Sequence, residues 1–414
     1  MATINWTGNA TAIKQVATIT IGGTWVQGDT VTVGNSTTGK SIVVTIGATA
    51  TVAAVCTAIA QAYNSTSPMT DTTASYQPVT GGRGIPEMAL ATAVAGTTTV
   101  VITGVTAGRP LGTFTIAKSS AAGTATIAAT TAATGPNHWD NAANWSTGSV
   151  PVAADDVILS RAVPIYYGLA QSAVTLTSLT VTQNFRDSAQ TGLPFRNAGG
   201  FEEFLPTELA ISATTVTIDT AAKLIKLNLG TNQSTITVYR TGSSSETGRP
   251  ALQIRGTHAS NTLQIIGSTS SETAADVGIA TNGDVSTFTT VRQDTGTLTI
   301  GAAGAGTVTL TTLTKNGGRA AVYCAATTIN NYAGDLYHYA GAMTTGNHYA
   351  GTWYDVGTAA YGTLVISSRY IADGGAGSKT IGSTTVNAGG SIVDSADRVT
   401  YTNPITWRGT LSVV

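Results

Sequence analysis

The segments TTLTKNGGRAAVYCA (311–325), TTINNYAGDLYHYA (327–340) and AMTTGNHYAGTWYD (342–355) follow one another and align. Gly318 matches Gly334 at a spacing of 16, and Gly334 matches Gly351 at 17, as Tyr332 matches Tyr349. Each unit holds a Thr-rich run, a Gly-bearing turn and a second short strand. Thr favours strands and Gly supplies turns. A unit this short cannot bury an apolar face alone, so it must stack on its neighbours. The repeat predicts a right-handed parallel β-helix, a β-solenoid, over 161–414.

Working back from the repeat, short strands continue: VTLTSLTV (174–181), LAISATTVTI (209–218), LIKLNLG (224–230), STITVYR (234–240), ALQIRG (251–256), TLQIIG (262–267) and TLTI (297–300). FRNAGGFEEFLPTE (195–208) breaks this rhythm and reads as a projecting loop. At the far end Trp407 is expected to close the last turn of the ladder. Residues 1–134 predict a separate β-sandwich-like docking domain, with strands VATITIGG (16–23), DTVTVGN (29–35), SIVVTIG (41–47), TTTVVITG (97–104) and LGTFTIAK (111–118). Its one helix is TVAAVCTAIAQAYNS (51–65): Val52, Val55, Cys56, Ile59 and Tyr63 fall at helical spacing, with Thr51 as cap and Asn64 near the end. TATIAATTAATG (124–135) reads as a low-complexity bridge. Residues 135–160 predict a Trp-rich cap, in which Trp139 and Trp145 cover the open first strand layer and Asp155–Asp156 hold a turn. Such caps protect exposed core and strand edges. The whole is an all-β protein.

Composition narrows the function. Charged residues make up 10% of 414, far below the usual quarter, and 20 basic residues oppose 21 acidic ones. There is no basic block for nucleic acid and no amphipathic basic helix for a membrane surface. No run reaches ~18 apolar residues, and the first residues lack the pattern of a secretory signal. Synthesis in a host cytoplasm is the expectation. Cys56 and Cys324 lie too far apart to form a metal motif, and five Asn-x-Ser/Thr sequons, at Asn9, Asn35, Asn64, Asn144 and Asn232, match a common pattern. GGRG (81–84) lacks the Lys of a phosphate loop.

No catalytic, cofactor-binding or metal-binding residue is assigned, and no enzyme activity or cofactor is expected. The four histidines are His138, His258, His338 and His348. Stacking would have to bring His338 and His348 together with Asp335 or Asp355 to make a metal site, which needs three or four converging ligands. Glu202, Glu203 and Glu208 share one loop, and a glycosidase pair among them has no support in spacing. Tyr332, Tyr337, Tyr349, Trp353, Tyr354, Tyr361 and Tyr370 are read as an oligomer interface, internal packing or a sugar- or receptor-binding stripe.

GPNHWDNAANWSTGSVPVAADDVIL (135–159) with IYYGLAQSAVTLTSLTVTQ (165–183) resembles a family of phage- and prophage-encoded β-helical proteins, and the likeness extends to LPTELAISATTVTI (205–218) and GTHASNT (256–262). ATITIGGTWVQGDTVTV (17–33) is similar to small β-domains of phage head and tail proteins. The Trp and Asp-Asp motif also resembles the start of repeats in autotransporter-like surface proteins. The resemblance implies a structural virion protein. The expected role is capsid decoration or cementing against the major capsid protein or other virion proteins, as a homotrimer on the particle surface. Its alternatives are a tail fibre or spike that meets a host-surface glycan, a bacterial adhesin and, last, a polysaccharide-cleaving enzyme.

Overall fold

The computed structural model describes the chain except residues 1, 67–73, 78–80, 194–195, 199–200, 205–206, 243, 245, 247, 268–273, 305–306, 373–374, 376 and 409–414. It is mostly β, with one α-helix among the described residues. Two compact units divide it: Asn9–Asn141, and Met1–Gly8 together with Ala142–Val414.

The smaller unit contains two four-stranded antiparallel sheets. Both feed one core, in which Ile19, Val33, Val44 and Ile102 meet the helix residues Val55, Ile59 and Tyr63. The helix runs Val52–Asn64, and the Thr51 hydroxyl accepts from the Ala54 amide at 3.2 Å. Its end is tied down by Asn64, whose amide group exchanges two hydrogen bonds with the Ala93 backbone at 2.6 and 2.9 Å. The stretch read as a bridge is a strand, Gly123–Thr131, antiparallel to Val16–Gly23. Alternating Thr and Ala satisfy a half-exposed edge as well as a linker, and composition alone did not separate the two.

In the larger unit every strand of the 24-stranded sheet pairs in parallel, and from Ala170 onward most strands bond to the one two places ahead. The chain therefore alternates between two stacks. One runs from Asp156–Leu159 to Lys379–Asn387; the other from Asp187–Thr191 to Ser391–Val393. Parallel strands need a connection that returns the chain to the same end, and here the other stack provides it. Ile225, Leu252, Val277, Leu298, Ala320, Leu336, Trp353 and Tyr370 stand in one register column, all buried. Trp353 fits because Gly346 leaves space: a Cβ there would lie 3.0 Å from the indole. Large and small residues thus trade volume across the core.

The boundaries at 134 and 160 differ from these units. Thr3–Asn5 pairs in parallel with Asp156–Ile158, so the first residues are a strand of the larger unit. Asp155 holds the turn as expected, accepting from Val152 N at 2.9 Å, and also accepts from Ala2 N at 3.1 Å. Trp145 packs edge-on against Trp6, with ring centroids 5.0 Å apart, and Trp6 Nε1 donates to Val163 O at 3.0 Å. The sequence reading missed Trp6. Trp139 is buried, but it belongs to the smaller unit. Trp407 is 49% exposed on the last described strand, Thr406–Arg408, and is not buried over the end of the ladder among the described residues. Within 195–208 the chain forms an antiparallel hairpin, Arg196–Ala198 with Phe201–Phe204.

Candidate functional site

Successive turns of the second half share one construction. Gly296, Gly318, Gly334 and Gly351 all have positive φ, between 68° and 82°. A Cβ on Gly318, Gly334 or Gly351 would sit 2.2 Å from the carbonyl oxygen of the glycine before it. Only glycine allows both the left-handed backbone and this approach. Three residues before each stands a buried polar side chain: Gln293, Lys315, Asn331 and His348, in register with one another. Each reaches forward to a carbonyl of the next repeat: Gln293 to Arg319 O at 3.0 Å, Lys315 to Ala333 O at 2.5 Å, Asn331 to Ala350 O at 3.3 Å, and His348 to Arg369 O at 2.9 Å. Buried carbonyls need such donors. Burial pushes Lys315 down to about 8 and lowers His348.

A second buried network surrounds Asp355. Its carboxylate accepts from Tyr361 at 2.9 Å, from Tyr370, and from Lys379 at 2.5 Å. The Tyr361 hydroxyl, having donated its proton to Asp355, accepts from His338 Nδ1 at 2.8 Å. Lys379 Nζ also lies 3.3 Å above the Tyr361 ring. Arg398 binds carbonyls of Asp355 and Gly377 at 3.2 and 2.8 Å. Burial, then the charge of Lys379, pushes His338 down to about 3, and burial followed by the charge of Asp355 holds Tyr361 and Tyr370 well above the ordinary phenol range. The Asp355 and Lys379 side chains are fully enclosed. The members of the network come from successive strands, which it ties together. His338 and His348 thus enter two different networks, and no group of three His, Cys, Asp or Glu able to hold a metal occurs among the described residues. His138 is buried, with Nε2 2.9 Å from Gly108 O.

The aromatic set splits. Trp353, Tyr361 and Tyr370 are core. Tyr332 stacks on Tyr349, Tyr337 on Tyr354 and Tyr323 on Tyr339, at 4.4–4.6 Å and 4–7° between planes, and Arg319 covers Tyr337 at 4.5 Å. Parallel stacking spends one face of each ring on its partner, and Tyr332 and Tyr349 remain exposed.

The outer column that carries Tyr337 and Tyr354 begins far earlier. Lys226, Gln253, Gly278, Thr299 and Ala321 precede them in register. At its early end the column is covered, with Lys226 and Gln253 both buried and bonded to Glu246. Beside them opens a cleft of about 240 Å³ whose lining includes Glu208, Gln253, Arg255, Asn282 and Asp284. Arg255 Nε donates to both Glu208 oxygens, at 2.8 and 3.0 Å, and its Nη1 lies 3.6 Å from Asp284. Of the loop acids read from sequence, Glu208 alone has a described side chain; those of Glu202 and Glu203 lie outside the described residues. Arg255, Asn282 and Asp284 were not foreseen. The signal for the inner polar column was present: a polar residue three places before each repeat glycine. No family model, no curated protein and no solved structure matches this chain.

Proposed function

We propose that the two stacks close into a right-handed parallel β-solenoid and that the protein is a structural component of a bacteriophage particle, decorating or cementing the capsid. The observation that supports a structural role is the inner polar column: four consecutive repeats spend their buried donors on the carbonyls of the next repeat. That chemistry builds a stiff body and leaves its surface as the working part. The virion assignment rests on the resemblance of 135–183 to phage-encoded β-helical proteins. In this reading the Asn9–Asn141 unit, sandwich-like, docks on the major capsid protein, and the chain assembles as a homotrimer without cofactor or catalysis.

A tail fibre or spike is the second reading. The polar cleft beside Arg255 favours it, because a receptor-binding protein needs a surface site of that kind. Quantitative mass spectrometry of purified particles tests both. Hundreds of copies per particle supports decoration, a few to tens supports the tail, and particles without the chain overturn both. Analytical ultracentrifugation of the purified chain tests the trimer.

A further inference from the structure

We infer that the cleft between Glu208, Arg255 and Asp284 binds one ring of a neutral carbohydrate. The inference stands on the cleft itself and does not depend on the virion reading. Four observations converge there. First, the volume of about 240 Å³ lies just below the ~300–1,000 Å³ of pockets for larger organic ligands, a size for one sugar ring. Second, the polar ends are partly open: the Glu208, Arg255 and Asp284 side chains are 28%, 32% and 35% exposed, and Asn282 is exposed. Third, their chemistry is mixed. Carboxylates accept, while guanidinium and side-chain amides donate. A hydroxyl both donates and accepts, so a polyol satisfies each of them.

Charge narrows the class further. Arg255 already serves two acids, Glu208 and Asp284, and Lys226 is engaged by Glu246. Glu246 also faces Arg249 at 3.9 Å, so the charges balance, and an anionic ligand would have to displace a carboxylate from Arg255. A metal ion would have to displace the guanidinium from both carboxylates. A neutral ring disturbs neither balance. Fourth, the turn that borders the cleft is strained. Ala280 has φ +49°, the left-handed region that non-glycine residues rarely enter, and the neighbouring Thr281 hydroxyl is buried with no hydrogen-bond partner among the described residues. Both features cost stability, and such strain is concentrated at binding and active sites. Of the four non-glycine residues with positive φ among the described residues, Ala154, Asp187, Ala280 and Asp397, Ala280 alone lines the cleft.

The test is saturation-transfer NMR on the full chain with methyl glycosides of glucose, galactose, mannose and N-acetylglucosamine, each at ~10 mM, ten times a millimolar Kd. Glucuronic acid and calcium chloride serve as charged competitors. The expected result is transfer to the ring protons of at least one neutral glycoside. It should be weakened about tenfold by Asn282→Ala and by Asp284→Asn, two partly exposed positions, with melting temperature unchanged. Glu208→Gln should abolish it; should that variant misfold, the other two still decide. No transfer from any neutral glycoside, equal transfer in the variants, or displacement by glucuronate or calcium would overturn the proposal.

Discussion

The two halves of the ladder use the same outer column in opposite ways. Around Lys226 and Gln253 the connections 192–208, 241–251 and 266–275 are long, and the column is buried under charged partners. Around Tyr337 and Tyr354 the connections shrink to 316–318, 323–324 and 332–334, and the column is bare tyrosine. Backbone register is continuous between them, so the difference lies in the side chains the column carries and in what the turns add. Short glycine turns let each repeat seal the one before it. Long turns sacrifice that seal and build a cleft. Stability should therefore concentrate in the second half, and surface chemistry in the first.

The largest effect should come from a methyl group at a stacked turn. Gly334→Ala places a Cβ 2.2 Å from Gly318 O and 2.6 Å from Lys315 Nζ, at φ +74°. The left-handed cost and the backbone clash together should exceed about 3 kcal/mol. Gly248 also has positive φ, +73°, but nothing lies within 4 Å of its Cβ position. Gly248→Ala should cost only about 1 kcal/mol. Urea unfolding of both variants checks the contrast; equal losses would show that the turns of the two halves are mechanically alike.

Buried charge comes next. Asp355→Asn leaves Lys379 enclosed with no carboxylate, and removing one partner of a buried pair costs about 3–5 kcal/mol. The same urea experiment reads it, and a loss below 1 kcal/mol would mean that water reaches this network.

How much of this was legible follows from the type of signal. The repeat glycines were, because positive φ at a close approach admits no other residue, and so was the helix at 52–64, whose apolar spacing is unambiguous. Lys379 and Arg398 were not, and Asp355 was named only as a candidate ligand beside the histidines. A polar residue in a β-rich chain is read as surface, and only register reveals that His338 and Asp355 continue the column of Ile279, Ile300 and Val322. Trp6 escaped because its partner strand lies some 150 residues on, a pairing no local pattern encodes. The cleft escaped for the same reason: Glu208 and Arg255 meet only after the strands between them, Leu209–Asp219, Ala222–Asn228 and Thr235–Arg240, have stacked.

That column supplies a pH test. Unfolded His338 titrates near 6.5 and folded His338 near 3. Between these values the unfolded chain binds the extra proton, so stability is full above pH 6.5 and falls as pH drops toward 3. By pH 5 the loss should be about 2 kcal/mol. His338→Gln keeps a donor for Tyr361 and should flatten the slope between pH 6.5 and 5. An unchanged slope would assign the acid sensitivity to other groups.

The smallest effect should be the chemical equivalent of Asp355→Asn made in the first half. Glu208→Gln also removes a carboxylate from a cation, and the contact it breaks is bidentate. Yet both side chains are about one-third exposed, so water screens the pair and rehydrates Arg255 once it is freed. Arg255 also keeps Asp284 at 3.6 Å as a second acid. Exposed pairs contribute about 0–1 kcal/mol, and the loss here should fall in that range. It should shrink further in 1 M salt, where the Debye length is only ~3 Å, whereas the Asp355→Asn loss should not. A Glu208→Gln loss as large as that of Asp355→Asn would mean the cleft's ion pairs hold the fold together. The division of labour between the two halves would then fail.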